Sequence, residues 1–487
     1  MKQFKNNDIF RQKCFVDGRW IQSENKKTQV VTNPADEKVL GHVPDCGALE
    51  TRRAIAAASK AWPAWRAMSP KERADIMWRW AELIRENKED LSVLMTLEQG
   101  KPLAESRAEI DYGNSFVEWF AEEGRRIYGD VIASNKAGQH LIVIKQSLGV
   151  VGAITPWNFP VAMITRKISP ALAASCTVVL KPASETPFCA LALAALAEQA
   201  GFPAGVINVI TGAAADIGGE LSSNPLVRKI SFTGSTKIGK LLMAQAAGTL
   251  KKLSLELGGN APFIVFDDAN LDAAVVGAIA SKFRNTGQTC VCANRILVQD
   301  SVYDAFAKKL LLAVKKLKVG AGLSEGVKLG PLINEKALEK VKHHVADAVK
   351  KGAKIILGGK PHKLGGLFYE PTILTDANSS MLLAKEETFG PVAPLFRFKN
   401  EKEAITISNN TEFGLASYFY SENIHRIWRV SEALEYGIVG VNEGIISTEV
   451  APFGGIKESG MGREGSKYGL DDYIEVKYLC MGSDSKS

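Results

Sequence analysis

Cys290 stands in the stretch Arg284-Asn285-Thr286-Gly287-Gln288-Thr289-Cys290-Val291-Cys292-Ala293-Asn294, with polar and small residues crowding in before the sulfur. A free cysteine is usually a small core hydrophobe, and this segment alone favours that reading over a nucleophile. A working thiol needs a donor for the oxyanion its attack creates and a base for the step that follows. The chain offers one of each, far away in sequence. Pro156-Trp157-Asn158-Phe159-Pro160 holds the Asn158 amide between two prolines that limit backbone motion, which suits an oxyanion donor and equally a turn cap. Glu256, in Leu253-Ser254-Leu255-Glu256-Leu257-Gly258-Gly259, is flanked by leucines that would desolvate its carboxylate and raise its proton affinity toward that of a general base. A buried structural salt bridge is the other use for such a glutamate.

These residues need elements to carry them. Apolar strands separated by helices run from residues 150–155 through 177–180, 206–210 and 229–232, with helices at 186–201 and 235–247, and this alternation predicts a parallel sheet covered on both faces. Lys181 and Gly234-Ser235 then fall at the carboxyl ends of strands, where ligands of such sheets bind and where free helix amides can meet a pyrophosphate. A second series begins at 263–266. It includes a helix ending just before Cys290, helices at 301–317 and 335–351, and strands at 355–357, 394–398, 418–420 and 438–441. The expected fold is therefore α/β, with two doubly wound parallel-sheet domains, one of them Rossmann-like, and a small β element for oligomerisation. Residues 1–129 and 149–257 are assigned to a cofactor domain, 258–470 to a catalytic domain, and 130–148 with 471–487 to an assembly hairpin and tail. Toward the N-terminus, Cys14 to Ile21 reads as a hairpin around Asp17-Gly18. Ser69-Pro70-Lys71-Glu72 reads as a helix-opening capping box, and Gly100-Lys101-Pro102 as the end of the helical region.

The totals narrow the class. Apolar residues at 46% and charged residues at 23% are those of a globular protein. The formal charge of +7 comes from lysines and arginines scattered along the chain, which predicts attraction for small anions and no nucleic-acid partner. No apolar run is long enough to span a membrane and no secretory h-region is visible, so no membrane partner is expected. Seven cysteines at irregular spacing make neither a disulfide framework nor a metal site, and a reducing cytoplasm is the expected location.

Taken together, five ordered segments resemble the aldehyde dehydrogenase superfamily over essentially the entire chain: Pro156 to Pro160, Phe232-Thr233-Gly234-Ser235, Leu255 to Gly259, Gly287-Gln288-Thr289-Cys290 and Glu386-Glu387-Thr388-Phe389-Gly390-Pro391. Within it, the run from Phe283 to Arg295 and Ala451-Pro452-Phe453-Gly454-Gly455-Ile456-Lys457 are most similar to bacterial succinate-semialdehyde dehydrogenases. The resemblance implies catalysis by Cys290, Asn158 and Glu256, with Glu464 as a second acid near the site. It implies cofactor contacts at Trp157, Lys181, Ser184, Gly234, Ser235, Leu257 and Glu387. NADP is expected over NAD, because Ser184 beside Lys181 stands where strict NAD users carry Glu, although the charge of Glu185 works against that preference. Arg166, Arg284 and Ser447 are implied to clamp a distal carboxylate. Glutarate semialdehyde, one methylene longer, is the alternative substrate, and a non-catalytic family member is the alternative from another class. Cys292 is read as a redox partner of Cys290, on the assumption that an extended segment puts both sulfurs on one face. A homodimer or homotetramer is implied by pairing between residues 140–146 and 473–479.

Overall fold

The computed structural model describes residues 4–482, so residues 1–3 and 483–487, the latter the last part of the expected tail, lie outside the described region. The first large sheet has the spatial order Arg19–Ile21, Cys14–Val16, Ile207–Val209, Thr177–Lys181, Val150–Ile154, Val227–Thr233, Lys252–Glu256, Gly460–Met461. Its five central strands are parallel. In chain order they run 3-2-1-4-5, so the direction of winding reverses between Val150–Ile154 and Val227–Thr233. A crevice opens beyond the carboxyl ends of such a pair. Both faces are buried because neighbours along a strand point opposite ways. Val151, Val178 and Leu180 pack into one apolar cluster, and Val150, Val179 and Ile230 into another.

The second sheet runs Lys354–Leu357, Thr372–Ala377, Val392–Phe398, Ala293–Gln299, Ala261–Val265, Ala416–Tyr420, Ile438–Val441 and is parallel except at its first pair. It too is covered on both sides, Phe263 and Ile296 on one and Ile264 and Leu297 on the other. The chain passes from the first sheet to the second at Gly258-Gly259. A Cβ on Gly259 would lie 2.6 Å from the Cys290 carbonyl oxygen, so only glycine lets the crossing pass that close to the thiol turn. The two-domain expectation agrees with these sheets, with one addition. Gly460–Met461 returns to pair with Leu255 and Glu256 at the first sheet's edge.

The hairpin at Cys14–Val16 and Arg19–Ile21 forms as expected, with Asp17 and Gly18 both at positive φ, as its tight turn requires. Ser69 and Glu72 exchange the two bonds of a capping box at the start of Pro70–Glu86. Gly100-Lys101-Pro102 is a correction. It closes Lys88–Gln99 with a left-handed Gly100, and the next helix, Leu103–Glu123, starts at once. Helix Ala162–Ala173 also escaped the pattern. Every residue in it is buried, Thr165, Arg166, Lys167 and Ser169 included, so its polar positions do not mark a solvent-facing side. Away from the two sheets, Asp130–Ile132, Gln139–Ser147 and Ile474–Gly482 form a three-stranded antiparallel sheet, in which the tail pairs with the 139–147 strand as the sequence suggests.

Candidate active site

The thiol turn is built from unusual backbone. Asn285, Thr286 and Gly287 all have positive φ, which a β-branched threonine adopts only under constraint. The constraints are visible. The Asn285 amide N–H donates to Glu105 Oε2 at 2.8 Å, and its side-chain Nδ2 donates to the carbonyls of Asn158 and Gln288 at 2.9 and 3.2 Å. Thr286 Oγ1 donates to the Gly330 carbonyl, and Gln288 ties the turn to Pro331 and Ile333. Cys290 emerges half-buried at its end. Desolvation pushes its thiol up to about 12, opposed by the nearby charges of Arg166 and Arg284 and reinforced by those of Glu387 and Glu256.

A cleft of about 500 Å³ lies at the reversal point of the first sheet. Cys290 lines it together with Trp157, Asn158, Gly234, Ser235, Leu257 and Glu387, so the expected oxyanion donor, the thiol and five of the expected cofactor contacts share one space. Asn158 Nδ2 donates to the Gln288 carbonyl at 3.1 Å, which points the amide toward the thiol turn. Ser235 caps helix Thr236–Ala246 through a bond from Ile238 N–H. Trp157 meets Phe389 edge to face at 5.5 Å. Glu387 accepts from Gly259 N–H, and burial lifts its carboxyl to about 7. Lys181 and Ser184 do not line this cleft; Lys181 ends the neighbouring strand Thr177–Lys181, with Ser184 three residues beyond. Lys181 is buried with Nζ on the Pro182 carbonyl, and Ser184 is exposed.

Glu256 stands outside the cleft lining, at the end of Lys252–Glu256 and 2% exposed. Among the described residues neither carboxylate oxygen has a hydrogen-bond partner. Desolvation raises its proton affinity well above the carboxylate range, and the charge of Glu464 adds to the rise against Arg166, Lys167 and Arg463. The buried salt bridge allowed for Glu256 goes instead to Glu464, whose two oxygens are held by Arg166 and Lys167.

The three residues expected to clamp a carboxylate differ in their surroundings. Arg166 is fully buried on Ala162–Ala173, paired with Glu464 and stacked 4.1 Å from the Phe453 ring centre. Arg284 is half-buried over the Phe159 ring at 5.4 Å and forms no ion pair among the described residues. Ser447 is half-buried on the loop after Ile438–Val441. The assumption behind the Cys292 reading fails. Cys292 N–H bonds back to the Thr289 carbonyl, so the segment is a turn and positions 290 and 292 do not share a face. Cys292 is buried, with its sulfur on the Lys282 carbonyl at 3.3 Å.

Three side chains near this site were missed in the sequence. Lys167 and Tyr112 lie beside Arg166, and Lys101 donates to the Asn158 carbonyl at 2.7 Å. Neither lysine stands out in the sequence, since Lys167 follows Arg166 and Lys101 lies between Gly100 and Pro102. Among the described residues no group of three or more His, Cys, Asp or Glu is arranged to hold a metal ion, and no helix is long and apolar enough to cross a membrane.

The model for the aldehyde dehydrogenase family matches residues 20–479. The chain is 64% identical to a glutarate-semialdehyde dehydrogenase of Pseudomonas aeruginosa, covering 99% of each. It is 63% identical to the succinate-semialdehyde dehydrogenase [NADP(+)] of Escherichia coli, covering 99% of this chain and 100% of that one. A crystal structure of an NADP-dependent enzyme from E. coli superposes with a TM-score of 0.98 at 63% identity, over 99% of this chain and 100% of the other. Agreement that extends from the first hairpin to the tail strand, in sequence and in fold alike, leaves one assignment, and the chain belongs to the aldehyde dehydrogenase family.

Proposed function

We propose that this aldehyde dehydrogenase oxidises succinate semialdehyde to succinate and uses NADP better than NAD. The observation that carries the reading is the meeting of Cys290 and Asn158 on one cleft, with Arg284, a cation in no contact ion pair among the described residues, on the ring next to Asn158. In this reading the Cys290 thiolate adds to the aldehyde carbon, and the carbonyl electron pair moves to oxygen. Asn158 Nδ2 leaves the Gln288 carbonyl to hold that oxyanion with the Cys290 backbone N–H. The nicotinamide, when bound, supplies the acceptor for the hydride. Loss of that hydride leaves the carbon joined to Cys290 as a thioester. Glu256 takes a proton from water, the oxygen attacks, and the thiolate departs. Aldehyde and water thus become carboxylate, with one hydride transferred and two protons released. Glu464 sharpens Glu256 as a base by its charge.

The turn at Gly234 fits a dinucleotide. A Cβ there would come within 2.4 Å of the Phe232 ring, and the residue lies on the cleft ahead of a helix N-terminus. Trp157, Lys181, Ser184, Gly234, Ser235, Leu257 and Glu387 would hold the cofactor. NADP is supported by the exposed Ser184 beside Lys181 and by the E. coli relative's name. We assign residues 1–129 and 149–257 to cofactor binding and 258–470 to catalysis. Residues 130–148 and the tail form a homo-oligomer interface, a role supported by exposed Val131, Ile132 and Val476 on that sheet. The free cysteines fit a reducing cytoplasm.

Glutarate semialdehyde is the second reading, favoured by the name of the P. aeruginosa relative. One methylene is worth only about 1–3 kcal/mol of discrimination. The test is kcat/KM for both semialdehydes and a neutral aldehyde with each cofactor. A higher value with glutarate semialdehyde overturns the substrate, a higher value with NAD overturns the cofactor preference, and unchanged NADPH formation in Cys290→Ala overturns the mechanism.

A further inference from the structure

Lys101 and Glu109 form an ion pair in which each side chain is 1% exposed. A buried pair of this kind is weak evidence for stability, since apolar residues of similar volume hold two helix segments together as well or better. What an apolar pair cannot do is reach where these two reach. Lys101 Nζ donates to the backbone carbonyl of Asn158 at 2.7 Å and lies 4.0 Å from the centre of the Phe159 ring. The second oxygen of Glu109 accepts the N–H groups of Val161 and Ala162, at 2.9 and 3.2 Å, where helix Ala162–Ala173 begins. The loop carrying Asn158 is therefore gripped on both sides by one ion pair.

The same grip extends to the thiol. The Asn158 carbonyl has a second donor, Asn285 Nδ2, from the strained turn that leads to Cys290. Asn285 Oδ1 accepts from Gln99 Nε2 at 3.0 Å, and Gln99 Oε1 accepts the Lys101 backbone N–H at 2.9 Å. These bonds close a ring, Lys101 to Asn158 to Asn285 to Gln99 and back to Lys101, that joins the oxyanion loop to the thiol turn. We propose that Lys101 and Glu109 are positioning residues, which set the Asn158 amide against Cys290 by fixing the backbone of the residue that bears it. The proposal rests on the reading of Asn158 as the oxyanion donor.

The experiment compares wild type, Lys101→Met/Glu109→Gln, Asn158→Ala, and the triple combination, each as the full chain with both substrates supplied. Gln at 109 keeps an acceptor for Val161 and Ala162, and the two substitutions remove both charges of the pair together. The double variant should fold, bind NADP within about twofold of wild type by tryptophan quenching, and lose about 10²-fold in kcat with little change in aldehyde KM, the loss expected when a donor is displaced by about 1 Å. Added to Asn158→Ala, the same two substitutions should cost no more than about threefold further, because the group they position is already gone. A folded double variant within about threefold of wild-type kcat overturns the proposal, as do losses that multiply with Asn158→Ala. A double variant that does not fold makes the pair structural and overturns it as well. Wild-type turnover in Asn158→Ala refutes the oxyanion reading itself, and the proposal falls with it.

Discussion

Replacing Arg284 by alanine should separate substrates that carry a distal carboxylate from those that do not. The guanidinium sits half-buried over Phe159 with no ion pair of its own among the described residues, so its removal breaks no contact ion pair and takes from buried Glu105 only one of the charges that favour its ionised form. A charge-assisted bond to a substrate carboxylate is worth about 1.5–3 kcal/mol, and partial exposure argues for the lower half of that range. The corresponding loss in kcat/KM for succinate semialdehyde is roughly 10- to 40-fold. A neutral four-carbon aldehyde should lose only what the stacked guanidinium contributes to the pocket wall, about 0.5–1 kcal/mol or roughly two- to fivefold. The assay is initial rates of NADPH formation over a range of each aldehyde, for wild type and Arg284→Ala. Equal losses on the two substrates would refute the clamp. Arg166 would be the wrong residue for this test, because Glu464 would keep only Lys167, and breaking such a buried pair costs about 3–5 kcal/mol whatever the substrate.

Two further outcomes follow from Glu256 and Cys290. Glu256→Gln should still release about one equivalent of NADPH per site in a burst, then turn over about 10²–10³-fold more slowly, because thioester hydrolysis loses its base; an unaltered steady state removes Glu256 from that role. Its raised proton affinity means the carboxylate is freed only as pH climbs, so wild-type deacylation should quicken with rising pH and the Glu256→Gln rate should lack that rise. The thiol pushed up to about 12 leaves a thiolate fraction of about 10⁻⁴ at pH 8, so alkylation of Cys290 in the ligand-free enzyme should accelerate about tenfold per pH unit between pH 7 and 10. A plateau below pH 9 contradicts that environment.

Alternating apolar strands and helices, with glycine and proline at their ends, were enough to read two covered parallel sheets, the place of Lys181 and Gly234 at strand ends, and the pairing of the tail. These features are local, and their periods of two and 3.6 are written in the order of residues. Glu256 was legible because leucines flank its carboxylate, Asn158 because two prolines hold it, and Cys290 only once these two were set beside it. Helix Ala162–Ala173 was not, since its polar residues, Arg166 and Lys167 among them, are buried with the rest and no solvent-facing side marks it. Nor was the turn at Cys292, whose N–H closes on the Thr289 carbonyl and so breaks the extended path assumed for it, just after three successive positive φ values at Asn285, Thr286 and Gly287. The partner of Arg166 and the reach of Lys101 to Asn158 lie in the same class. Residues 166 and 464, or 101 and 158, meet only once the sheets have packed, and desolvation then decides which charges pair with each other and which remain for a substrate. The chain's order of residues settled what chemistry is present. Packing settled where each charge points.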